Sequence, residues 1–172
     1  MHLNGFILIL FMMSISQTFA ASHDPEGRVW MLGEIVESAC TIDSGSLDQV
    51  VDMGVLPIGV LRSLGSSEAK EFQINLIDCL WGEDTQNNYT NFDITFTGNT
   101  EGNFFLVNGD AEGVFLLLED ANRKQIIPGE KINYWGGKQA FSNRYFLRLL
   151  PNGDEMKPGD FYTLIHFNIN YN

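Results

Sequence analysis

The stretch FYTLIHFNINYN, residues 161–172, decides the fold of this chain. Its odd-numbered positions are apolar or aromatic apart from one threonine, and its even-numbered positions become polar toward the end. A period of two over this length predicts a strand with one buried face and one solvated face. Long apolar edges are normally avoided because they pair with other chains. We therefore expect this last strand either to lie between two others or to receive a strand from another molecule.

The first 20 residues have the features of a secretory signal peptide. An apolar run from Phe6 to Met13 is followed by a polar stretch and by small residues around a cleavage site after Ala20. The rival interpretation, a membrane anchor, is disfavoured because the run is too short to cross a bilayer. We expect an exported mature chain of 21–172 that forms one domain.

Charge and cysteine content narrow the functional class. All 10 basic and all 22 acidic residues follow the signal, so the mature chain has a formal net charge of −12, which argues against binding nucleic acid or anionic lipid.

Cys40 and Cys79 are the two cysteines, and an even count in an exported protein favours a disulfide. A zinc site or a reactive thiol is the alternative, but neither the CxxC spacing nor a nearby histidine supports it.

Short alternating runs separated by turns continue along the whole mature chain. No segment has a sustained helical period, and about nine short strands predict an antiparallel β-sandwich. The strands predicted after the first run are 39–42, 50–55, 72–76, 92–97, 104–107, 114–118, 125–127, 144–150 and 161–172.

The first run, 29–35, contains a glycine in the middle of a strand pattern. Gly33 would weaken an isolated strand, and such a glycine usually marks the close approach of another backbone. An ordinary first strand with a bulge at Gly33 is the alternative, and the pattern alone favours it slightly.

Catalytic and metal-binding patterns are not found. His166 stands in the more polar alternation set of the last strand, without an accompanying nucleophile or metal-ligand motif. Trp81 or Trp135 could form an aromatic platform for a sugar, but a single exposed tryptophan is weak support. We predict no catalytic residue, no metal and no cofactor.

Taken together in this order, the motifs make the chain similar to the pilin subunits of chaperone–usher fimbriae, the family of type 1 and P pili. Gly159 is fourteenth from the end and Tyr171 is penultimate, which strengthens the resemblance. The motifs that carry it are GEIV at 33–36, ACTI at 39–42, VVDMG at 50–54, FQINL at 72–76 with DC at 78–79, PGDF at 158–161 and FNINYN at 167–172.

The resemblance implies an all-β fold, an incomplete immunoglobulin-like β-sandwich that lacks its last strand and is completed by a donor strand from a chaperone or another subunit. The implied domains are the signal 1–20, an N-terminal donor extension 21–39 and a pilin domain 40–172. The donor series would be Val29, Met31, Gly33 and Ile35. The acceptor groove and chaperone contact would be Gly159, Phe161, Ile165, Phe167, Ile169, Tyr171 and Asn172, whose carboxylate the chaperone would anchor.

The function implied is therefore that of a structural fimbrial subunit in cell adhesion, and not an enzyme. Its partners would be a periplasmic chaperone, an outer-membrane usher and other pilins, with passage through the periplasm to a fimbrium on the cell surface. Similarity of 49–54 and of the Asn-rich ending to the P-pilus rod terminator favours a minor subunit, either terminator, anchor or adaptor. A major rod pilin is the alternative. A carbohydrate-binding adhesin and a monomeric periplasmic enzyme are disfavoured by chain length and by the missing catalytic set.

Overall fold

The computed structural model describes residues 30–32, 39–80, 91–136 and 140–172. The chain divides into two compact units, 1–35 and 36–172. In the first unit only Trp30, Met31 and Leu32 are described, and all three side chains are exposed. The signal peptide and Val29, Gly33 and Ile35 lie outside the described residues. The second unit contains the helices and strands.

In the described part, eleven strands and two short helices follow one another along the chain. The helices are α1 (Ser44–Leu47) and α2 (Ile58–Leu64). The strands are β1 (Thr41–Ile42), β2 (Lys70–Ile77), β3 (Asn91–Gly98), β4 (Thr100–Glu101), β5 (Phe104–Leu106), β6 (Asn108–Gly109), β7 (Val114–Glu119), β8 (Lys131–Trp135), β9 (Phe141–Pro151), β10 (Phe161–Tyr162) and β11 (Ile165–Tyr171).

The strands form antiparallel sheets. A large sheet has the order β1-β2-β9-β7-β5-β4, a three-stranded sheet has the order β11-β3-β8, and β10 pairs separately with β6. In the three-stranded sheet, β3 alternates apolar residues that face inward with polar residues that face outward, as the sequence pattern predicts.

The two larger sheets pack their apolar faces together. Tyr145 of β9 and Phe96 of β3 are fully buried and stack edge to face at 5.0 Å between ring centroids. The hydroxyl groups of Tyr134 on β8 and Tyr145 also lie 3.0 Å apart, which joins the sheets by a partly buried hydrogen bond. Each hydroxyl thereby has the hydrogen-bond partner that a polar group needs when it is removed from water. The predicted β-sandwich is confirmed.

The predicted disulfide is also present. Cys40 and Cys79 are bridged, and both side chains are buried. Cys40 directly precedes β1, Cys79 follows β2, and these strands pair with Thr41 opposite Ile77. The bridge therefore closes the end of this strand pair.

The prediction of one continuous strand over 161–172 is wrong, because the chain changes partner in its middle. β10 pairs with β6, whereas β11 pairs with β3. At the change, the hydroxyl of Thr163 donates to the carbonyl oxygen of Leu106 at 2.6 Å. The Leu164 carbonyl packs on Gly98, where a Cβ would lie only 2.8 Å from its oxygen. The alternation of faces nevertheless continues across the break, with Leu164 exposed.

Other strand predictions need correction. Strand β8 and helix α2 were not predicted, and the segment 50–55 joins none of the described sheets. In the predicted strand 125–127, Gln125 makes an isolated bridge to Glu119. A strand forms only where a neighbouring strand offers a ladder of hydrogen bonds, and the alternation within a segment does not reveal whether a neighbour exists.

Candidate strand-accepting edge

Strand β11 is paired along one side. Its seven residues lie opposite β3, from Ile165 opposite Gly98 to Tyr171 opposite Phe92. Among the described residues, β11 has no strand on its other side, so it forms an edge of the three-stranded sheet. Within the described ranges, the predicted last strand therefore lies at an edge and not between two others.

The direction of the backbone groups of β11 follows from one hydrogen bond. The amide of Asn172 donates to the carbonyl oxygen of Asn91 at 3.0 Å, so this pair exchanges hydrogen bonds with β3. In an antiparallel ladder, hydrogen-bonded positions alternate with positions whose amide and carbonyl groups point away from the partner strand. The groups of Ile165, Phe167 and Ile169 thus point to the unpaired side of β11. This side offers a template for a further strand.

The side chains of the same residues form an incompletely covered apolar surface. Ile165, Phe167, Ile169 and Tyr171 pack against the core, yet all remain partly exposed. By contrast, the apolar side chains of β3 behind them have at most 1% of their surface exposed, namely Phe92, Ile94 and Phe96. The sandwich is therefore sealed at β3 and remains incompletely covered at β11.

A hydrogen bond connects this edge with the edge of the large sheet. The hydroxyl of Tyr171 donates to the carbonyl oxygen of Cys40 at 3.2 Å. Burial raises the pKa of Tyr171. Because Cys40 precedes β1, the edge strands β11 and β1 lie on the same side of the sandwich.

The segment that follows β1 contributes a second set of apolar side chains. Val51, Met53 and Leu56 pack against the core while staying partly exposed, whereas Val50 and Val55 are 99% and 97% exposed. This segment belongs to none of the described sheets, and within it the amide of Gly54 donates to the side chain of Asp52. The sequence predicted a strand here but did not assign it to the site. The alternation of Val51 and Met53 was the signal that could have done so.

Two predicted acceptor residues lie at the junction before β11. Phe161 belongs to β10 and is opposite Gly109 of β6. Gly159 packs directly against a neighbouring backbone, since a Cβ there would lie 2.5 Å from the carbonyl carbon of Asp110 and 2.6 Å from the nitrogen of Ala111. The predicted set is thus divided into a β10 part and a β11 part.

The outer face of the three-stranded sheet carries a buried carboxylate that sequence reasoning did not single out. Asp93 of β3 accepts hydrogen bonds from the side-chain amides of Asn170 and Asn172, each at 3.0 Å, and from the ammonium group of Lys131 at 3.2 Å. The hydrogen bonds from the two amides contribute most to lowering the pKa of Asp93 below its usual range, and the hydrogen bond and charge of Lys131 add to this effect. Burial acts in the opposite direction. Asn172 is therefore bound to β3 through both its backbone and its side chain.

The described part of the donor series consists of Met31, which is 92% exposed. In the described ranges, no group of three or more His, Cys, Asp or Glu residues could hold a metal ion, and His166 is exposed. No helix in the described part is long and apolar enough to cross a membrane.

Comparison with known proteins gives the family relationship. The PRS fimbrial minor pilin protein of Escherichia coli is 28% identical over 154 residues, which cover 85% of this chain and 77% of the relative. The Major MR/P fimbria protein of Proteus mirabilis is 26% identical over 181 residues, which cover 99% of both chains. The chain is homologous to the fimbrial pilins. No family model matches this pilin homologue.

The fold relationship is supported by solved structures. The P pilus rod subunit PapA has a TM-score of 0.68 at 20% identity, with 78% of this chain and 100% of that chain covered. The predicted incomplete immunoglobulin-like pilin fold is confirmed by this likeness. The predicted class, a structural subunit of surface fimbriae, is confirmed by the pilin relatives.

Proposed function

We propose that this pilin homologue is a chaperone–usher fimbrial subunit whose sandwich is completed by a strand inserted along the open side of β11. The single-sided pairing of β11 carries the proposal, because Ile165, Phe167 and Ile169 direct backbone groups to a side where the described residues place no strand. An added strand would bond these groups and place alternate side chains on the partly covered apolar surface. Segment 50–56 forms the second set of contacts for that strand.

The donor of such a strand is the N-terminal extension, 21–39, of another subunit. Val29, Met31, Gly33 and Ile35 face the groove in this proposal, and they span seven residues, as β11 does. The exposure of Met31 supports the assignment, since an apolar side chain outside any core is available for a partner. Gly33 allows the close approach of the acceptor backbone.

The partners follow from the same mechanism. A periplasmic chaperone occupies the edge of the pilin domain, 40–172, before assembly and holds the carboxylate of Asn172. At an outer-membrane usher, the N-terminal extension of the next pilin replaces the chaperone. The role is structural and not catalytic, which the structural pilins among the relatives support.

Within the fibre we assign the chain to the minor subunits, as terminator, anchor or adaptor. The resemblance to a minor pilin over 85% of the chain supports this assignment. A major rod pilin is the second candidate, because the alignment with the Major MR/P fimbria protein spans 99% of both chains. Assembly of the purified subunit separates them: a rod pilin polymerises by itself, whereas a terminator stays at the end of a fibre of other subunits.

Binding of a donor peptide tests the proposed function. The mature chain is released from a fimbrial chaperone in the presence of a peptide of residues 27–37 or of the same peptide with Gly33→Leu. The wild-type peptide should form a stable complex with the subunit. The variant should bind about 5- to 150-fold more weakly, because overpacking in one pocket typically costs about 1 to 3 kcal/mol. Equal binding of the two peptides would contradict the groove-facing role of Gly33.

The same substitution in the whole subunit separates the donor from the internal-strand interpretation. Gly33→Leu should leave the thermal stability of the chaperone-bound subunit unchanged, because the extension lies outside its fold in this proposal. A large loss of stability together with normal peptide exchange would show that 29–35 is an internal first strand.

A further inference from the structure

Asp93 is unusual because a charged side chain on the outer face of a sheet has only 1% of its surface exposed. Both carboxylate oxygens are occupied. Oδ1 accepts from Asn172 and Lys131, and Oδ2 accepts from Asn170. Buried charges are rare unless they are paired and hydrogen-bonded, and this one meets both conditions.

The donors connect all three strands of the sheet. Lys131 comes from β8, Asn170 comes from β11, and Asn172 directly follows β11. Asn170 lies directly opposite Asp93, and Asn172 lies opposite Asn91, two residues along the ladder. The carboxylate thus binds the end of β11 and the residue after it at two successive outward-facing positions.

These bonds specify the register of β11. A shift of one residue would move its apolar side chains to the outer face and would bring Ile169 or Tyr171 against Asp93. The carboxylate would then lose both amide donors while remaining buried, which is unfavourable. The backbone hydrogen bonds of a ladder do not depend on side-chain identity, so they do not oppose such a shift. The inner face of β11 is only partly covered, and burial therefore specifies the register less strongly here than at β3.

A shift of two residues is opposed by a different contact. It would keep the faces and could offer Asn168 and Asn170 to Asp93, because the asparagines of β11 also alternate. The hydrogen bond from Tyr171 to the Cys40 carbonyl would be lost. The Asp93 cluster on the outer face and Tyr171 on the inner face therefore define one register together.

We propose that Asp93 is a positioning residue for strand acceptance: through Asn170 and Asn172 it holds β11 in the register that presents Ile165, Phe167 and Ile169 to an incoming strand. This role rests on the proposed function of β11 as an acceptor. Its physical basis is preorganisation, since an edge strand already fixed in register loses less conformational freedom when a partner binds.

The chain offers a matched set of variants. Asp93→Asn removes the charge, and Asn170→Ala and Asn172→Ala each remove one amide donor. Asn168→Ala is the control, because Asn168 lies on the same face of β11, is exposed and does not bond Asp93. The double variant Asp93→Asn with Asn170→Asp returns a carboxylate–amide pair with the two groups exchanged.

Two measurements are made on the mature chain. Hydrogen exchange of the β11 amides that face β3 reports the register and stability of the ladder. The association rate of the 27–37 peptide reports acceptance. Asp93→Asn and Asn170→Ala should speed exchange and slow association by about tenfold, the effect of one lost hydrogen bond to a charged group. Asn168→Ala should behave as wild type, and the double variant should recover part of the loss.

The pH dependence of association separates positioning from a general loss of stability. In the wild type, association should slow only in acid below the ordinary titration range of an aspartate, because the hydrogen bonds to its carboxylate lower the pKa of Asp93, and Asp93→Asn should lack this dependence. The other titratable groups on this face are Lys131, which bonds Asp93, and His166 near the opposite end of β11.

The outcomes distinguish this role from the function on which it rests. If the wild type binds the peptide and Asp93→Asn matches it in both exchange and association rate, the role of Asp93 is overturned and the acceptor function stands. If the wild type binds no donor peptide, the acceptor function itself is overturned together with the role. If Asp93→Asn does not fold, Asn170→Ala and Asn172→Ala decide by the same two measurements.

Discussion

The Tyr171 hydroxyl and the Cys40 carbonyl oxygen, 3.2 Å apart, join the edge strands of two different sheets. Tyr171 closes the apolar series of β11, and Cys40 is fixed to the end of β2 by its disulfide to Cys79. The hydrogen bond therefore holds one end of the incompletely covered side of the sandwich at a defined width. In the part of the chain that the structure describes, no strand pairs with this side of β11 toward Ile165.

Tyr171→Phe should lower the free energy of unfolding by about 1 kcal/mol, because it removes this hydrogen bond and leaves the ring in place. Denaturant unfolding of the donor-complemented subunit measures the change. Tyr162→Phe is the matched control, since Tyr162 is 67% exposed and should have an effect within 0.5 kcal/mol, as is usual at the surface. Equal effects of the two substitutions would contradict the role assigned to Tyr171.

Gly159→Ala should destabilise the subunit by about 1 to 3 kcal/mol, because the new methyl group would meet the backbone of Asp110 and Ala111. Gly59→Ala in helix α2 is the control. A methyl group there has no atom within 4 Å, so this substitution should be neutral or stabilising by up to about 1 kcal/mol. Thermal unfolding compares the two. A neutral Gly159→Ala would mean that Gly159 serves an interface and not the fold.

The disulfide gives a chemical prediction. Titration of the unfolded, unreduced mature protein should find no free thiol, because Cys40 and Cys79 are bridged. Replacing both cysteines by alanine should cost about 4 kcal/mol of unfolding free energy by the chain-entropy estimate for a loop of this size, the two positions being 39 apart in sequence. Two reactive thiols would remove the bridge from the account.

Asp93 should make stability sensitive to acid. Its pKa is lower in the folded protein than its ordinary value, so its ionised form stabilises the fold at pH values above that ordinary value, about 4. This contribution should be lost as the pH falls through the lower folded pKa. The difference in unfolding free energy between wild type and Asp93→Asn should therefore be constant near neutrality and shrink below about pH 4. A difference that grows on acidification would have the wrong sign.

Local pattern predicted the strand faces well because alternation is a property of the segment itself. The inward series of β11 and the outward position of Leu164 both follow from residues 161–172 alone. The same pattern did not reveal the change of partner at Thr163, which depends on Leu106 and Gly98 elsewhere in the chain. Contacts distant in sequence decide where a ladder begins and ends.

Missed elements have similar causes. Helix α2 has only seven residues, one of them Gly59, and this length is too short for a recognisable helical period. Asp93 looked like an ordinary polar residue on the solvated face of a strand. Its burial depends on Lys131, Asn170 and Asn172, and single-sequence reasoning could not bring these together without the register of three strands.

The measurement that tests strand acceptance most directly is residue-resolved hydrogen exchange of β11 with and without the 27–37 peptide. Without peptide, amides that face β3, such as Asn168 and Asn170, should be protected, whereas those of Ile165, Phe167 and Ile169 should exchange rapidly. Bound peptide should protect these three and abolish the alternation, because a second ladder then forms on the open side. Rapid exchange that persists at Ile165, Phe167 and Ile169 in a saturated complex would contradict the account.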